Sequence, residues 1–501
     1  MRMRFCIGLM LSSLLAVMAA RGETVTALRF HCAGTAKLTA NTNLTTLNQT
    51  LSGPQAVGFQ HFALNQLATL LSHSWKTGSN SPPLIDPLLT DLLENESVVA
   101  IGPPESILTS FVTAVRVNPQ QSQLWNTQLG KLFGGSGGES KNESSAEKHW
   151  PRGTTGDFWT ISKGNWLLFG QGTELAPIKA EFLQKIGSND SPAPSLGTNW
   201  LEGDLDLALL APALPEWAKL LKPAQVHIQI APRGNDLEIR GKATYPTEIA
   251  WTPNSWQEPK NLVLTPLISF TAGQGVAAFL QISPQVSNLP DNFLTNQFFG
   301  WALGMMPLES YLAWPVPEGT NSLQKLTAEL PPFVNPILKN LNKSQVEWQP
   351  KMDALVWTGL NVVSPTLSTT RDNQRDYLLL SLFPNPPATK PAPAALWKEL
   401  ETRQNLVYYD WEVTGERLQQ MRLLPQMIWF RPGITGNEGS MEGLVAKDEM
   451  LGEMSPKIGV TVTEVTRTAP NELFIIRKGP IGLTGFEMVE LSDWLSKAGS
   501  P

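Results

Sequence analysis

Cysteine is almost missing from this chain: Cys6 and Cys32 are the two in 501 residues. Histidine is nearly as scarce. The five, His31, His61, His73, His149 and His227, all lie in the first half and none is paired at i+4. A zinc centre needs three or four ligands of fixed type closing on one point, so no metal and no cofactor is expected. Lysine and arginine form no run longer than a residue or two, and the net charge is −6. Neutralising phosphates takes clustered cations, so nucleic acid is excluded as a partner. Beyond the N-terminus no apolar run reaches 18 residues, which leaves no candidate for a membrane span. Tyrosine is rare as well, 5 against 17 tryptophans.

What is present begins with the leader. MRMRFCIGLMLSSLLAVMAARGE has a basic start at Arg2 and Arg4, an apolar run from Phe5 to Ala20, and small residues at Ala20 and Gly22 before Glu23. This is the order of a secretory signal peptide over residues 1–22. The apolar run falls short of the roughly 20 residues of a membrane span, which favours cleavage over retention as an anchor. The expected destination is periplasmic or extracellular, in a bacterial envelope. The mature chain would keep Cys32 alone, flanked by His31 and Ala33 in an apolar strand, which suits core packing and forbids an internal disulfide.

At this length two or more domains are expected, because single cores stop growing at roughly 250–300 residues. VHIQIAPRGNDLEIRGK (226–242) and VTEVTRTAPNELFIIRK (462–478) read as the same hairpin written twice. Elements before each hairpin can be matched in order. ALRFHCAG (27–34) answers PLISFTAG (266–273), and a helix over 58–75 answers a helix over 291–306. The strand runs 97–102 and 106–117 answer 354–360 and 375–383. The helix SQLWNTQLGKLF (122–133) answers AALWKELETRQ (394–404), and the strand containing Asp157 and Trp159 answers YYDWEV. The second match runs 19 residues shorter, which an insertion at the Gly/Ser-rich loop 134–156 would explain. The expected fold is α+β: two similar tandem lobes from an internal duplication, each a largely antiparallel sheet with helices packed on one side. The first lobe spans 23–255 and the second 262–501, closing with a helix over 485–497 whose Thr484 and Glu487 stand at capping-box spacing.

Reactive constellations are few. Residues 134–138 satisfy G-x-S-x-G, but a helix precedes and a polar stretch follows, where a nucleophile elbow needs a strand and then a helix. Residues 273–278 fit G-x-G-x-x-A after a strand, yet Pro284 and Pro290 interrupt the helix a dinucleotide site requires. Glu202, Asp204 and Asp206 alternate and would share one face of a strand. That makes an acidic cluster able to act in acid–base chemistry or, more plainly, to solvate a sheet. Phe298, Phe299, Trp301, Met305, Met306 and Trp314 crowd one region and form the candidate ligand-binding group, since Met and Trp can repack around an apolar guest. The reading is an exported, non-catalytic envelope or secreted protein that binds a protein partner or apolar ligand between two lobes. A carboxylate-dependent secreted hydrolase and a lipid carrier are the alternatives.

Overall fold

Apolar patterning sorts the strands into two kinds. The computed structural model describes residues 26–497 apart from 76–80, 103–109, 134–146, 151–156, 173–174, 190, 211–221, 223, 250, 276–277, 279–296, 305–308, 343–344, 360–363, 384–389 and 429–440. The first half runs β1 (Leu28–Cys32), α1 (Thr35–Thr39), α2 (Thr45–Leu51), α3 (Pro54–Ser74), α4 (Pro82–Glu94), β2 (Ser97–Ile101), β3 (Phe111–Arg116) and α5 (Pro119–Phe133). It continues with β4 (Glu147–Trp150), β5 (Phe158–Lys163), β6 (Trp166–Gln171), α6 (Ala176–Asn189), β7 (Leu201–Asp206), α7 (Leu207–Leu210), β8 (Gln225–Arg233) and β9 (Asp236–Thr244). The second half opens with β10 (Leu267–Gln274), β11 (Gln297–Leu303), β12 (Ser310–Val316), α8 (Gly319–Asn342), β13 (Gln345–Gln349), β14 (Ala354–Thr358), β15 (Thr366–Asp372) and β16 (Arg375–Ser381). It closes with α9 (Ala394–Glu401), β17 (Leu406–Val413), α10 (Thr414–Ile428), α11 (Met441–Met454), β18 (Val460–Ala469), β19 (Glu472–Gly479) and α12 (Gly485–Lys497). The fold is α+β, and among the described residues no helix is long and apolar enough to cross a membrane.

Among the described residues all nineteen strands belong to one antiparallel sheet. β9 pairs with β19 from Leu237 opposite Gly479 to Thr244 opposite Glu472, which joins the halves edge to edge. Outward from this seam one side runs β8, β7, β1, β2, β3, β6, β5, β4. The other side runs β18, β17, β10, β11, β12, β16, β15, β14, β13.

Several strands away from the seam are covered on both faces and are largely apolar for that reason, while the outlying β4, β13 and β15 keep polar residues. Every residue of β2 and β6 is buried. On what we call the lower face, Phe111, Val115, Phe158 and Phe169 meet Trp125 and Leu129 of α5 in a core that continues through α3 to α12. On the upper face, Val98, Ala100, Val112, Ala114 and Leu168 meet Phe182 and Ile186 of α6. The second half repeats the arrangement, with α8 beneath Trp314, Leu355 and Leu378 and α9 above Phe270, Phe299 and Tyr409. Helices therefore cover both faces, not the one side expected. A both-face-buried strand has no polar side with which to advertise its period.

That loss of period explains one misreading. The stretch 291–306 is expected to be a helix, but its described part forms strand β11. Phe299 and Trp301 go to the upper core and Phe298 packs on the lower one. A short apolar run cannot be assigned by periodicity alone. The element matches change with it. α9 leads into β17, which pairs with β10, just as α6 leads into β7, which pairs with β1. Its topological counterpart is therefore α6 rather than the Leu-Trp helix α5. Likewise β17 answers β7, not β5, and the 19-residue surplus loses its meaning. Segment 134–156 contains β4, whose Trp150 is buried against Phe133 and Phe158; the remainder lies outside the described residues. The strand expected over 203–210 ends at Asp206, where α7 begins.

The closing helix forms with its capping box: Thr484 N–H donates to Glu487 Oε2 (3.0 Å) and Glu487 N–H to Thr484 Oγ1 (3.3 Å). Its Met488 and Leu495 join the core that holds Phe59 and Leu64 of α3 together with Met450 and Met454 of α11. The helix thus ties the two halves together instead of capping the second alone.

Candidate functional site

Between α6 and α9, among the described residues, no helix packs over the upper face. Strands β7, β8, β9, β19 and β18 form its floor, and at about 4.8 Å per strand the floor is roughly 19 Å wide. These strands alternate as the sequence does. Their lower-face residues include the buried Leu201, Ile230, Leu237 and Leu473. On β7, β8 and β9 the upper-face residues are mostly polar, and cross-strand register sets them in rows: Asp204, His227 and Lys242 in one, Glu202, Gln229 and Arg240 in the next. Across the seam the rows continue into Phe474, Ile476 and Val462 as well as Glu464, Thr466 and Lys478.

The acidic residues picked out in the sequence do share this face, in two roles. His227 Nδ1 lies 2.8 Å from Asp204 Oδ1, and its Nε2 lies 3.5 Å from Glu202 Oε1. Gln229 Nε2 donates to Glu202 Oε1 at 3.3 Å. Asp206 is spent on structure, its Oδ1 accepting the N–H groups of Ala208 (3.0 Å) and Leu209 (3.2 Å) at the start of α7. A depression of about 360 Å³ opens over Asp204, Asp206, His227 and Lys242. His227 thus holds Asp204 through Nδ1, with Glu202 farther off beside Nε2, in a row of polar and ionisable side chains on the sheet. Among the described residues no group of His, Cys, Asp and Glu is arranged to hold a metal ion.

Across the seam the charges continue in pairs. Lys242 Nζ lies 2.5 Å from Glu472 Oε2, a contact that lowers the Glu472 carboxyl below its ordinary value. Glu238 takes Arg240 at 2.8 Å and Lys478 at 3.5 Å. Arg403 beyond α9 pairs with Glu464 of β18. On the opposite rim Arg29 reaches Glu181 of α6 at 2.8 Å and depresses its carboxyl by that hydrogen bond. Behind this rim His31 lies 2.9 Å from Glu96, whose carboxyl is held low chiefly by the same contact. The exposed pairs among these add little stability; together with the buried Glu238 they set a pattern of alternating sign.

The aromatic group is not brought together. Phe299 and Trp301 lie in the upper core beneath α9, while Phe298 and Trp314 face the lower core beside α8. Phe298 covers Gly273, where a Cβ would meet its ring at 2.3 Å, and Trp251 covers Gly275, whose φ is +67°. The glycines of the G-x-G motif are thus aromatic seats. Met305 and Met306 lie outside the described residues.

One charged cluster escaped the sequence reading. Asp410 and Glu412 of β17 point to the lower face and are buried beneath α10 and α12. Thr271 Oγ1 donates to Asp410 Oδ1 at 2.6 Å, and Gly485 N–H donates to Glu412 Oε1 at 2.7 Å. Burial raises the Asp410 carboxyl and lifts that of Glu412 to about 7; it also lowers the guanidinium of the half-buried Arg417, which faces both acids. Arg477, from the next hairpin, clamps Glu487 through both carboxylate oxygens (2.8 and 2.6 Å). The signal was present as two acids at i and i+2 in YYDWEV, on a strand otherwise rich in aromatics. No family model matches the chain, and no curated protein or solved structure does either.

Proposed function

We propose that the chain is an exported, non-catalytic binding protein built by internal duplication, and that the open upper face across the β9–β19 seam is where a protein partner docks. The observation that carries the reading is the contrast between this face and the strands of each half that helices cover on both sides. Helices cover both faces of strands such as β2, β3 and β6, yet β7, β8 and β9 keep a largely polar upper face with Asp204 71% and Lys242 51% exposed. Phe474 and Ile476 of β19 extend it across the seam with apolar side chains. Mixed charge over a floor this wide suits a complementary protein surface, since alternating signs confer register and specificity more than affinity. The apolar-ligand alternative loses its support because the aromatic side chains are divided between two cores.

Duplication is supported by the matching strand order on the two sides of the seam and by its symmetry. Arg240, fifth in β9, lies opposite Ile476, fifth in β19. Equivalent residues facing each other is the signature of a two-fold relation. Export is supported by the tripartite leader; N-terminal sequencing of the protein from the periplasm should find Glu23 first. Docking is tested by photo-crosslinking in cells, with a reactive residue at Asp204 or Lys242 and a control at the exposed Lys325 of α8. A discrete protein adduct from the first two positions, lacking at the third, is the expected result. The same pattern at all three, or none at any in correctly exported protein, would reject the docking face.

A further inference from the structure

A second polar depression, of about 550 Å³, lies in the second half beside the tip of the β15–β16 hairpin, away from the seam. Its size is within the range of small-molecule sites. One wall is the extended segment 253–259. The backbone of this segment is pinned by Gln274 Oε1 accepting Asn254 N–H (3.0 Å), Gln297 Oε1 accepting Gln257 N–H (2.8 Å) and Tyr377 OH donating to Gln257 O (3.1 Å). With the backbone fixed in this way, the exposed side chains of Asn254 and Gln257 line the depression. The other wall is the hairpin tip, which supplies Arg371, Gln374 and Arg375, and Pro315 and Pro317 close the end.

The acids of this tip are already engaged. Asp376 Oδ2 accepts Gly319 N–H at the start of α8 (2.9 Å), and the buried Asp372 takes Asn261 N–H at 2.8 Å and its Nδ2 at 2.5 Å. Arg371, 70% exposed, comes no nearer to Asp376 than 3.8 Å. Arg375 is set beside Tyr377, with the Glu258 carboxyl in its field. Gln374 holds φ at +69°, a left-handed backbone that glycine would adopt at lower cost, and it follows Asn373 at +46°. A strained glutamine in place of glycine keeps a carboxamide at the mouth.

We infer that this depression binds an anionic, hydroxyl-rich ligand of the uronic-acid oligosaccharide class. Guanidinium forks match carboxylates with two parallel hydrogen bonds. Carboxamides offer a donor and an acceptor each, the complement of vicinal hydroxyls, and the proline rings provide a small apolar rim for a pyranose face. The site is separate from the proposed protein-docking face, so either can stand without the other.

The test is calorimetric titration of the full chain with tri-galacturonate at low ionic strength, with maltotriose as the neutral control. Saturable binding of the acidic sugar alone is expected, weakened about tenfold by Arg371→Ala, as loss of a charge-assisted pair should do. Because Arg371 is exposed, that variant should keep the parent melting temperature. Gln374→Gly should match or exceed the parent's thermal stability while also binding more weakly. The inference is overturned if tri-galacturonate gives no saturable signal, if maltotriose binds as well, or if Arg371→Ala in folded protein leaves affinity unchanged.

Discussion

At Glu412 a carboxyl raised by burial to about 7 gives folding a specific pH signature. The folded state holds this proton more tightly than the unfolded chain, whose carboxyl sits near its ordinary 4.5. The associated stability is therefore complete below that ordinary value and is lost as pH rises through about 7. Glu412→Gln keeps an acceptor for Gly485 N–H and removes the charge. It should change little at pH 4 and stabilise at pH 8 by roughly 1–3 kcal/mol, measured by urea unfolding at both values. Asp410, Arg417, Arg477 and Glu487 surround the site, so a variant less stable at pH 8 would mean that the ionised Glu412 is needed to balance Arg417. Cys32 makes a second case. Burial pushes its thiol up to about 12, so iodoacetamide at pH 8 should leave the native protein unmodified and alkylate it fully in denaturant. Rapid native alkylation would contradict the packing. The burial of Cys32 was legible from its apolar neighbours, and the face taken by Glu202, Asp204 and Asp206 from their alternation. Asp410 and Glu412 alternate in the same way, but period two says only that they share a face, not which one. Their burial depends on helices that arrive later in the chain.

At the scale of elements, the legible ones carry their own signals. The first hairpin alternates because its upper face is polar, and the second does so only in part because Phe474 and Ile476 share its upper face. Helix α12 is announced by Thr484 and Glu487 at its start. The illegible ones are strands covered twice. Phe298, Phe299 and Trp301 on β11 look helical because all are apolar, and only the cores above and below separate them. β4 was hidden differently, as four residues inside a Gly/Ser-rich stretch. It nevertheless brings Trp150, 3% exposed, against Phe133 and Phe158 with ring centroids 6.5 and 6.1 Å away. Trp150→Ala should cost about 3–5 kcal/mol by chemical denaturation. A loss under about 1 kcal/mol, the scale of an ordinary surface change, would return the segment to the loop expected from composition.

For the whole molecule the hairpins suggested repetition in the sequence, and the proposed duplication now rests on strand order instead, because helices of similar composition, α5 and α9, occupy different places. Nor do the halves behave as separate lobes facing a cleft. The sheet runs unbroken through the seam, and α3 of the first half packs with α11 and α12 of the second. Ile239→Ala and Ile475→Ala, both on half-buried lower-face positions next to the seam, should each cost about 2 kcal/mol and shift the same calorimetric transition. Two separable transitions, each moved by one variant, would show independent units. The register of the seam is the most direct test of the account, since the shared sheet, the two-fold relation and the open face all depend on it. Arg240 and Ile476 lie directly opposite on the open side, and facing residues of an antiparallel pair are close enough for a disulfide. Purified protein carrying Arg240→Cys with Ile476→Cys should form that crosslink readily under mild oxidation, with Cys32 remaining reduced. The pair Arg240→Cys with Arg477→Cys, whose side chains project to opposite faces, should not. Efficient crosslinking of the second pair in place of the first would contradict the seam and everything built on it.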